Sequence, residues 1–181
     1  MGFVCQGRYA LAPIEPTDAE KYVNLQLDCM EQTYDPIYFD TLGESFTARH
    51  RAERNEYLED FHRHLSSPTV RGFFAYEVPG WTPDGGLSCS IGARIDWDKP
   101  VGLALSLCEP SSWELERADN LPELPTGTRK LVHLYTLNHT HGTGLGQALY
   151  ESVIYPDENS YLWAMAENER ALSFYERLGY R

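Results

Sequence analysis

Hydrophobic positions in the first third of the chain indicate a short strand and then a helix. Residues 7–11 predict a first strand that ends at Pro13. Residues 17–20 have the form of a capping box, in which a hydroxyl and a carboxylate each satisfy a free amide at a helix start. Apolar side chains then recur at Val23, Leu27, Met30 and Tyr34. We expect a first helix to about Thr33, ended by Asp35-Pro36, because the residue before a proline disfavours helical torsions.

A second long stretch with helical spacing covers about residues 44–65. Its inward face consists of Tyr57, Leu58, Phe61 and Leu65. The dense arginine and glutamate positions between them are typical of a solvated helix face. We therefore expect one long amphipathic helix here.

The remaining chain alternates between apolar strand-like runs and polar loops. Residues 70–78, 101–108, 130–137 and 161–166 read as strands, separated by a turn-rich segment at 79–86 and a polar loop at 110–128. Residues 130–137 are apolar on both faces, which is typical of a central strand. Two helix faces follow, one with Leu145, Ala148, Leu149 and Val153, the other with Ala171, Phe174, Tyr175 and Leu178. Because no repeat or linker interrupts this order, the pattern predicts one α/β domain over residues 1–181.

Three glycines lie between the predicted central strand and the helix behind it, in the stretch HTHGTGLGQAL at residues 139–149. The first turn of a helix has unpaired amides and partial positive charge, so it attracts phosphate groups. Glycine lets the backbone approach a bulky anion without a Cβ in the way. The pattern therefore indicates a pyrophosphate cradle, although a flexible turn would also use glycines. The GxxxxGK[ST] motif of a P-loop is absent, and Gln147 replaces the third glycine of a dinucleotide-binding motif.

Two motifs resemble the GNAT superfamily of N-acetyltransferases. The stretch HGTGLG at residues 141–146 is similar to the acetyl-CoA signature [Q/R]xxGx[G/A] of that family, and NERALSFYERLGY at 168–180 is similar to its later NxxAxxFYxxxGF motif. They stand in the family's order at a suitable separation. The resemblance implies a mixed central sheet flanked by helices and an acyltransferase that uses acetyl-CoA as cosubstrate. It also implies that residues 31–39 form the family's variable acceptor-binding loop, with Glu31 and Tyr34 in contact with the acceptor.

The resemblance assigns a role to each matching position. The cofactor would lie between strands 130–137 and 161–166 and contact a set of residues made up of Leu134, Tyr135, Thr136, His141, Gly142, Thr143, Gly144, Leu145, Gly146, Gln147, Asn168 and Phe174. The main chain of the first three would bind the pantetheine arm as an added strand does. Tyr175 corresponds to the tyrosine that protonates the departing thiolate. Phe174 and Tyr175 also fit plain packing in a helix core.

The sequence leaves the general base unassigned. An attacking amine with a reference pKa of about 10.4 must lose a proton at neutral pH. Lys130 occupies the position where some members of the family have a carboxylate. His133, Glu31 and a water chain are the candidates, although His133 in an apolar strand fits a hydrogen-bonded core histidine better.

Two departures from the family pattern affect the expectations. His141 replaces the usual glutamine or arginine and changes one side-chain contact. The sequence ends at Arg181, where the family continues into a last pair of strands, so we expect those strands to be missing or to be supplied by another chain, as in a homodimer. The alternative function is a binding module that senses acyl-CoA without turnover.

Composition narrows the partners. The formal net charge of −12 argues against nucleic acid and favours a cationic acceptor, either a small-molecule or a peptide amine. No apolar run is long enough for a membrane span, and no signal peptide is evident. The four cysteines have no paired CxxC spacing, so we expect free thiols in a reduced, cytoplasmic protein, no metal site and no covalent role for a cysteine.

Overall fold

The computed structural model describes residues 4–42, 45–81, 94–116 and 124–181. A six-stranded sheet forms its centre, with the strands in chain order. The strands are β1 Val4–Gln6, β2 Tyr9–Pro13, β3 Arg71–Glu77, β4 Gly102–Leu107, β5 Arg129–Thr136 and β6 Ser160–Leu162. Neighbouring strands are antiparallel except β5 and β6, which are parallel. The expected mixed sheet flanked by helices is thus confirmed.

The described residues form six α-helices. They are α1 Ala19–Leu42, α2 Phe46–Ala52, α3 Arg54–Leu65, α4 Ser112–Glu116, α5 Leu145–Val153 and α6 Glu169–Arg177. One core lies between the sheet and α1 and α3, around Tyr22, Phe61 and Phe74. The other lies under α5, around Leu145 and Leu149. Within the described residues, no helix is long and apolar enough to cross a bilayer.

The first helix continues past the position where the sequence predicts its end. Helix α1 includes Pro36, although an internal proline costs a helix about 3 kcal/mol or more. Two contacts offset this cost. Asp35 Oδ1 accepts hydrogen bonds from the amide and the hydroxyl of Thr47, both at 2.8 Å. The rings of Tyr34 and Tyr38 pack on Phe46 at 5.4 and 5.2 Å. The predicted acceptor loop at 31–39 is therefore helical.

Other boundaries also differ from the expectations. The capping interaction begins two residues early, with the Glu15 amide donating to Asp18 Oδ2 at 2.9 Å, because Pro16 fits the first helical position. The helix expected at 44–65 breaks at Glu53 into α2 and α3. Gly7 lies in the turn between β1 and β2, with φ +63°. Helix α4 lies inside the predicted polar loop, and residues 82–86 of the predicted turn lie outside the described part.

The last predicted strand is shorter and less buried than expected. Strand β6 pairs with β5 over three residues only. Beyond this pairing, Trp163 and Met165 are 50% and 37% exposed. The apolar run at 161–166 therefore does not form a buried strand, because the pairing ends at Leu162 and the residues after it are exposed.

Candidate active site

The glycine stretch forms a cradle at the amino terminus of α5. Gly142 and Gly144 have φ +75° and +87°, a region that side chains rarely adopt, and Gly144 is the N-cap of the helix. The first main-chain bond of α5 runs from Ala148 N to Gly144 O at 3.1 Å. The amides of residues 144–147 therefore precede the first helical bond and remain available to an anion, whereas the Thr143 amide donates to the Thr140 carbonyl at 3.3 Å.

Side chains hold this cradle in one conformation. The Thr143 hydroxyl donates to the Thr140 carbonyl at 2.6 Å and lies 2.8 Å from the Tyr9 hydroxyl. The Thr140 hydroxyl donates to the Leu137 carbonyl at 2.7 Å. The Asn138 amide donates to Gln32 Oε1 of α1 at 2.8 Å. These bonds favour the preorganised cradle over a flexible turn.

A pocket of about 370 Å³ lies above the cradle. It is lined by the predicted residues Leu134, Thr136, His141, Gly142, Gly144, Leu145, Gly146, Gln147, Phe174 and Tyr175, together with Thr140, Arg170, Ala171, Arg177 and Leu178. Thr143 does not line it, because its hydroxyl bonds within the loop. The fold thus brings most of the predicted cofactor residues to one place.

His141 and Arg170 lie in contact above the cradle. Arg170 Nη1 contacts His141 Nε2, and the same ring nitrogen lies 3.3 Å from the Thr136 carbonyl oxygen. Burial and the charge of Arg170 both lower the pKa of His141. The imidazole is therefore neutral, and Arg170 is the cation in contact with it, while Arg177 also lines the pocket. In the sequence, Arg170 lies two residues after the predicted Asn168, where the pattern indicates only an exposed residue of a helix.

Strand β5 separates from β6 because of a bulge. Leu105 pairs with His133 but Ser106 pairs with Leu131, so Val132 is an extra residue in β5. An extra residue reverses which main-chain groups face each neighbour beyond it. The Leu137 amide donates to Val101 on the β4 side. By alternation, the main-chain groups of Leu134 and Thr136 face the gap, whereas those of Tyr135 face β4, so the main-chain contact expected at Tyr135 does not fit.

A narrow channel of about 100 Å³ runs through the gap between the two strands. It is lined by Thr33, Tyr34, residues 131–136, Trp163, Ala164, Asn168, Arg170, Ala171 and Tyr175. Asn168 Oδ1 accepts from the Ala171 amide at 3.1 Å as the N-cap of α6, so its oxygen already has a structural role. Tyr34 reaches the channel from α1, as expected for a residue near the acceptor.

Tyr175 lies where the channel meets the cradle pocket. Like the predicted residues Leu134 and Thr136, Tyr175 lines both the cradle pocket and the channel. Burial raises the pKa of Tyr175, so the phenol stays protonated throughout the physiological range. Among the described residues its hydroxyl has no hydrogen-bond partner, which leaves the proton available to a ligand.

The candidate bases lie in different surroundings. His133 Nδ1 lies 2.6 Å from the Tyr22 hydroxyl, and burial lowers the pKa of His133 to about 3. This confirms the core histidine. Glu31 pairs with Arg51 at 2.5 Å on the surface and does not line the channel. Lys130 is buried and pairs with Glu114 at 2.6 Å.

Two cysteines whose side chains are described, Cys29 and Cys108, lie outside the channel lining. Cys29 and Cys108 are free, and burial raises the pKa of the Cys29 thiol to about 12. Across the described ranges, no three histidine, cysteine or carboxylate side chains are grouped as metal ligands would be.

Comparisons with known proteins agree with this fold. Residues 118–181 match the model of the family described as FR47-like protein. An aminoglycoside N-acetyltransferase AAC(6')-Iy in complex with CoA superposes with a TM-score of 0.56 at 12% identity, covering 98% of this chain and 91% of that one. The PaiA N-acetyltransferase of Thermoplasma acidophilum, in complex with coenzyme A, gives a TM-score of 0.56 at 13% identity over 96% and 89%. An acetyltransferase of Thermus thermophilus gives 0.55 at 21% over 96% and 87%. No curated protein sequence matches the chain.

Proposed function

We propose that this chain, which has the fold of the GNAT N-acetyltransferases, is an acetyl-CoA-dependent N-acetyltransferase. It moves the acetyl group directly to a primary amine, in a small molecule or a protein, through a ternary complex. The observation that carries this proposal is the channel beside Tyr175, which connects an anion cradle to the gap between two parallel strands. Solved structures with this fold include complexes with coenzyme A.

The cradle side supplies the contacts that acetyl-CoA needs. The free amides before Ala148 and the two glycines suit the pyrophosphate. The main-chain groups of Leu134 and Thr136 that face the gap suit the amides of the pantetheine arm. This arrangement would direct the thioester into the channel.

The reaction proposed for the channel is a direct aminolysis. The neutral amine attacks the thioester carbonyl, the carbon–nitrogen bond forms, and the tetrahedral intermediate releases the thiolate as the carbon–sulfur bond breaks. The amine loses one proton and the thiolate gains one. A donor aimed at the carbonyl oxygen would stabilise the charge that develops there. No covalent enzyme intermediate is required, in agreement with the buried, weakly acidic thiol of Cys29.

Tyr175 acts on the leaving group in this scheme. A thiol titrates near 8.5 and a phenol near 10, and burial raises the pKa of Tyr175 further. Complete loss of the phenol proton is therefore unfavourable. Tyr175 stabilises the departing thiolate chiefly through a hydrogen bond, while the final proton arrives with solvent exchange.

Water is the proton acceptor that the channel favours. Among the described residues that line it there is no carboxylate, and His133 with a pKa of about 3 is too weak a base for an ammonium group. The acceptor amine must then bind in its neutral form or lose its proton to water after binding. The rate of the reaction should therefore depend on pH.

A free-thiol release assay with acetyl-CoA and a panel of amines tests the function. Turnover of any primary amine supports the enzyme. Binding of acetyl-CoA by calorimetry without turnover of any amine supports the alternative, an acyl-CoA-binding module. The binding module remains the alternative because no carboxylate that could act as a base is among the described residues that line the channel.

A homodimer and a cytoplasmic location remain part of the proposal. Strand β6 lies at the sheet edge and leaves Trp163 and Met165 exposed beside it. A second copy could cover this edge. Sedimentation velocity on the full chain distinguishes a dimer from a monomer.

A further inference from the structure

The channel beside Tyr175 opens into a second, larger pocket away from the cradle. This acceptor-side pocket has a volume of about 810 Å³ and shares Leu131, Val132, His133 and Trp163 with the channel. None of the described residues that line it also lines the cradle pocket. A ligand in this pocket would thus reach the channel from the end opposite the cofactor.

Two tryptophans form part of its wall. Trp113 of α4 and Trp163 after β6 lie with ring centroids 5.2 Å apart and are 40% and 50% exposed. Trp163 Nε1 donates to Glu114 Oε1 at 2.5 Å, which fixes the ring. Lys130 Nζ already lies 5.5 Å from the Trp113 ring centroid. No side chain in the described part of the protein places a cation over the Trp163 ring, and an indole face is the preferred aromatic partner of a cation.

The charges of the pocket lining are not all paired with one another. Asp60 pairs with Arg63, whereas Lys130 pairs with Glu114, a buried residue that does not itself line the pocket. Glu109 has no cationic partner among the described residues. Its Oε2 accepts from the hydroxyls of Ser67 and Thr69 at 2.7 and 2.6 Å, which fixes its position. Partial burial opposes ionisation, but these hydrogen bonds prevail and lower the pKa of Glu109.

We propose that the acceptor-side pocket selects an amine with a second cationic group, which Glu109 and the indole of Trp163 bind while the first amine enters the channel. The substrate class is a short diamine or polyamine, and Glu109 is the specificity-determining residue. This inference rests on the proposed acetyltransferase function. An apolar ligand that packed on the indole rings would remove the Glu109 carboxylate from water without neutralising its charge. A dication satisfies both features, and the net charge of −12 favours its approach.

The test compares 1,4-diaminobutane with n-butylamine, which share the reacting group and the chain length. We expect kcat/KM, from free-thiol release, to favour the diamine. Glu109→Gln keeps an oxygen for the two hydroxyls and removes the charge. It should lower the diamine-to-monoamine ratio by about two- to fivefold, the upper part of the range for a partly exposed charge contact. Glu59→Gln, an exposed position of α3 outside the pocket, should leave the ratio unchanged.

Three results would overturn the inference. They are equal turnover of the two amines by the unchanged protein, an unchanged ratio in Glu109→Gln, and a preference for phenethylamine, which would show selection of an aromatic body. Calorimetry of 1,4-diaminobutane with the coenzyme A complex separates this inference from the proposed function. If no amine releases thiol, the enzyme proposal fails. Diamine binding that weakens in Glu109→Gln would then still support the pocket, and no diamine binding would exclude it.

Discussion

The two ends of the channel are built from different parts of the chain. The cradle itself is built from one continuous segment between β5 and the start of α5, and residues of α6 form the rest of its pocket. The acceptor end consists of side chains from separate segments, including His64, Glu109, Trp113 and Trp163. A cofactor shared by many enzymes requires only a backbone conformation, whereas an individual acceptor requires particular side chains. The first end can therefore be recognised by a motif and the second cannot.

The largest expected effect tests whether the cradle binds through its backbone. Gly144 and Gly127 have φ +87° and +82°, and a Cβ at either position would meet nothing within 4 Å. Valine should therefore strain both sites alike, by roughly 1–3 kcal/mol. Only Gly144→Val should also lose acetyl-CoA affinity, by about 100-fold or more, because its side chain would occupy the pyrophosphate position.

Calorimetry with acetyl-CoA and thermal melting of both variants measure this difference. Gly127→Val is the control for backbone strain, since Gly127 lies outside the cradle pocket. Equal affinities of the two variants would show that the glycines serve only as a turn.

The next effect concerns the point where the two ends meet. Tyr175→Phe removes a hydroxyl that has no partner among the described residues, so the melting temperature should not change. The kcat should fall at least about tenfold, which is less than the ~10²- to 10⁴-fold typical of full acid catalysis, because the phenol donates a hydrogen bond but keeps its proton. Tyr150→Phe is a matched control, for which we expect lower stability and an unchanged kcat.

Tyr150 donates to or accepts from Tyr180 at 3.1 Å, away from the channel. Its removal should cost about 1 kcal/mol of stability and leave kcat unchanged. Turnover of Tyr175→Phe within about twofold of the unchanged protein would assign Tyr175 to packing.

The pH dependence tests the absence of a base at the acceptor end. If water takes the proton, only the neutral amine reacts, and its fraction rises tenfold per pH unit below a pKa of about 10.4. We expect kcat/KM to rise about tenfold from pH 7 to pH 8 with a short alkylamine. A plateau beginning near pH 6 to 7 would indicate a protein base that titrates there, which His133, with a pKa of about 3, cannot be.

The smallest effect concerns the single cation identified at the cradle contact with His141. Arg170→Gln should weaken acetyl-CoA binding about threefold to tenfold at low salt, and less at high salt, because an exposed charge contact is screened. Lys99→Gln, an exposed lysine distant from the cradle lining, is the control. An effect of Arg170→Gln that does not depend on salt would point to lost packing.

The C-terminal elements could be predicted from sequence because their signals are local. The central strand, the glycine cap and the stripe of α6 are each specified by neighbouring residues, and the predicted elements are confirmed. The course of α1 through Pro36 could not be predicted. It depends on Thr47 and Phe46, which contact Asp35 and its neighbours only in the folded chain.

The acceptor end escaped prediction for the same reason. Glu114 lies in a short helix inside a segment that reads as a polar loop, and it orders Trp163 across 49 positions of sequence. The bulge at Val132 arises from pairing with β4 and has no local signature. Arg170 gains its role only from contact with His141.

Helix α1 touches both walls of the gap, and this has a consequence for the order of folding. Gln32 bonds Asn138 beyond β5, and the Tyr38 hydroxyl donates to Glu167 before α6 at 2.9 Å, at separations of 106 and 129 residues. Contacts between such distant residues form late, after the local helices and hairpins. The last turns of α1 should therefore exchange their amide protons by local opening, well below the free energy of global unfolding. The entrance to the channel would then be assembled last and be the first part to open.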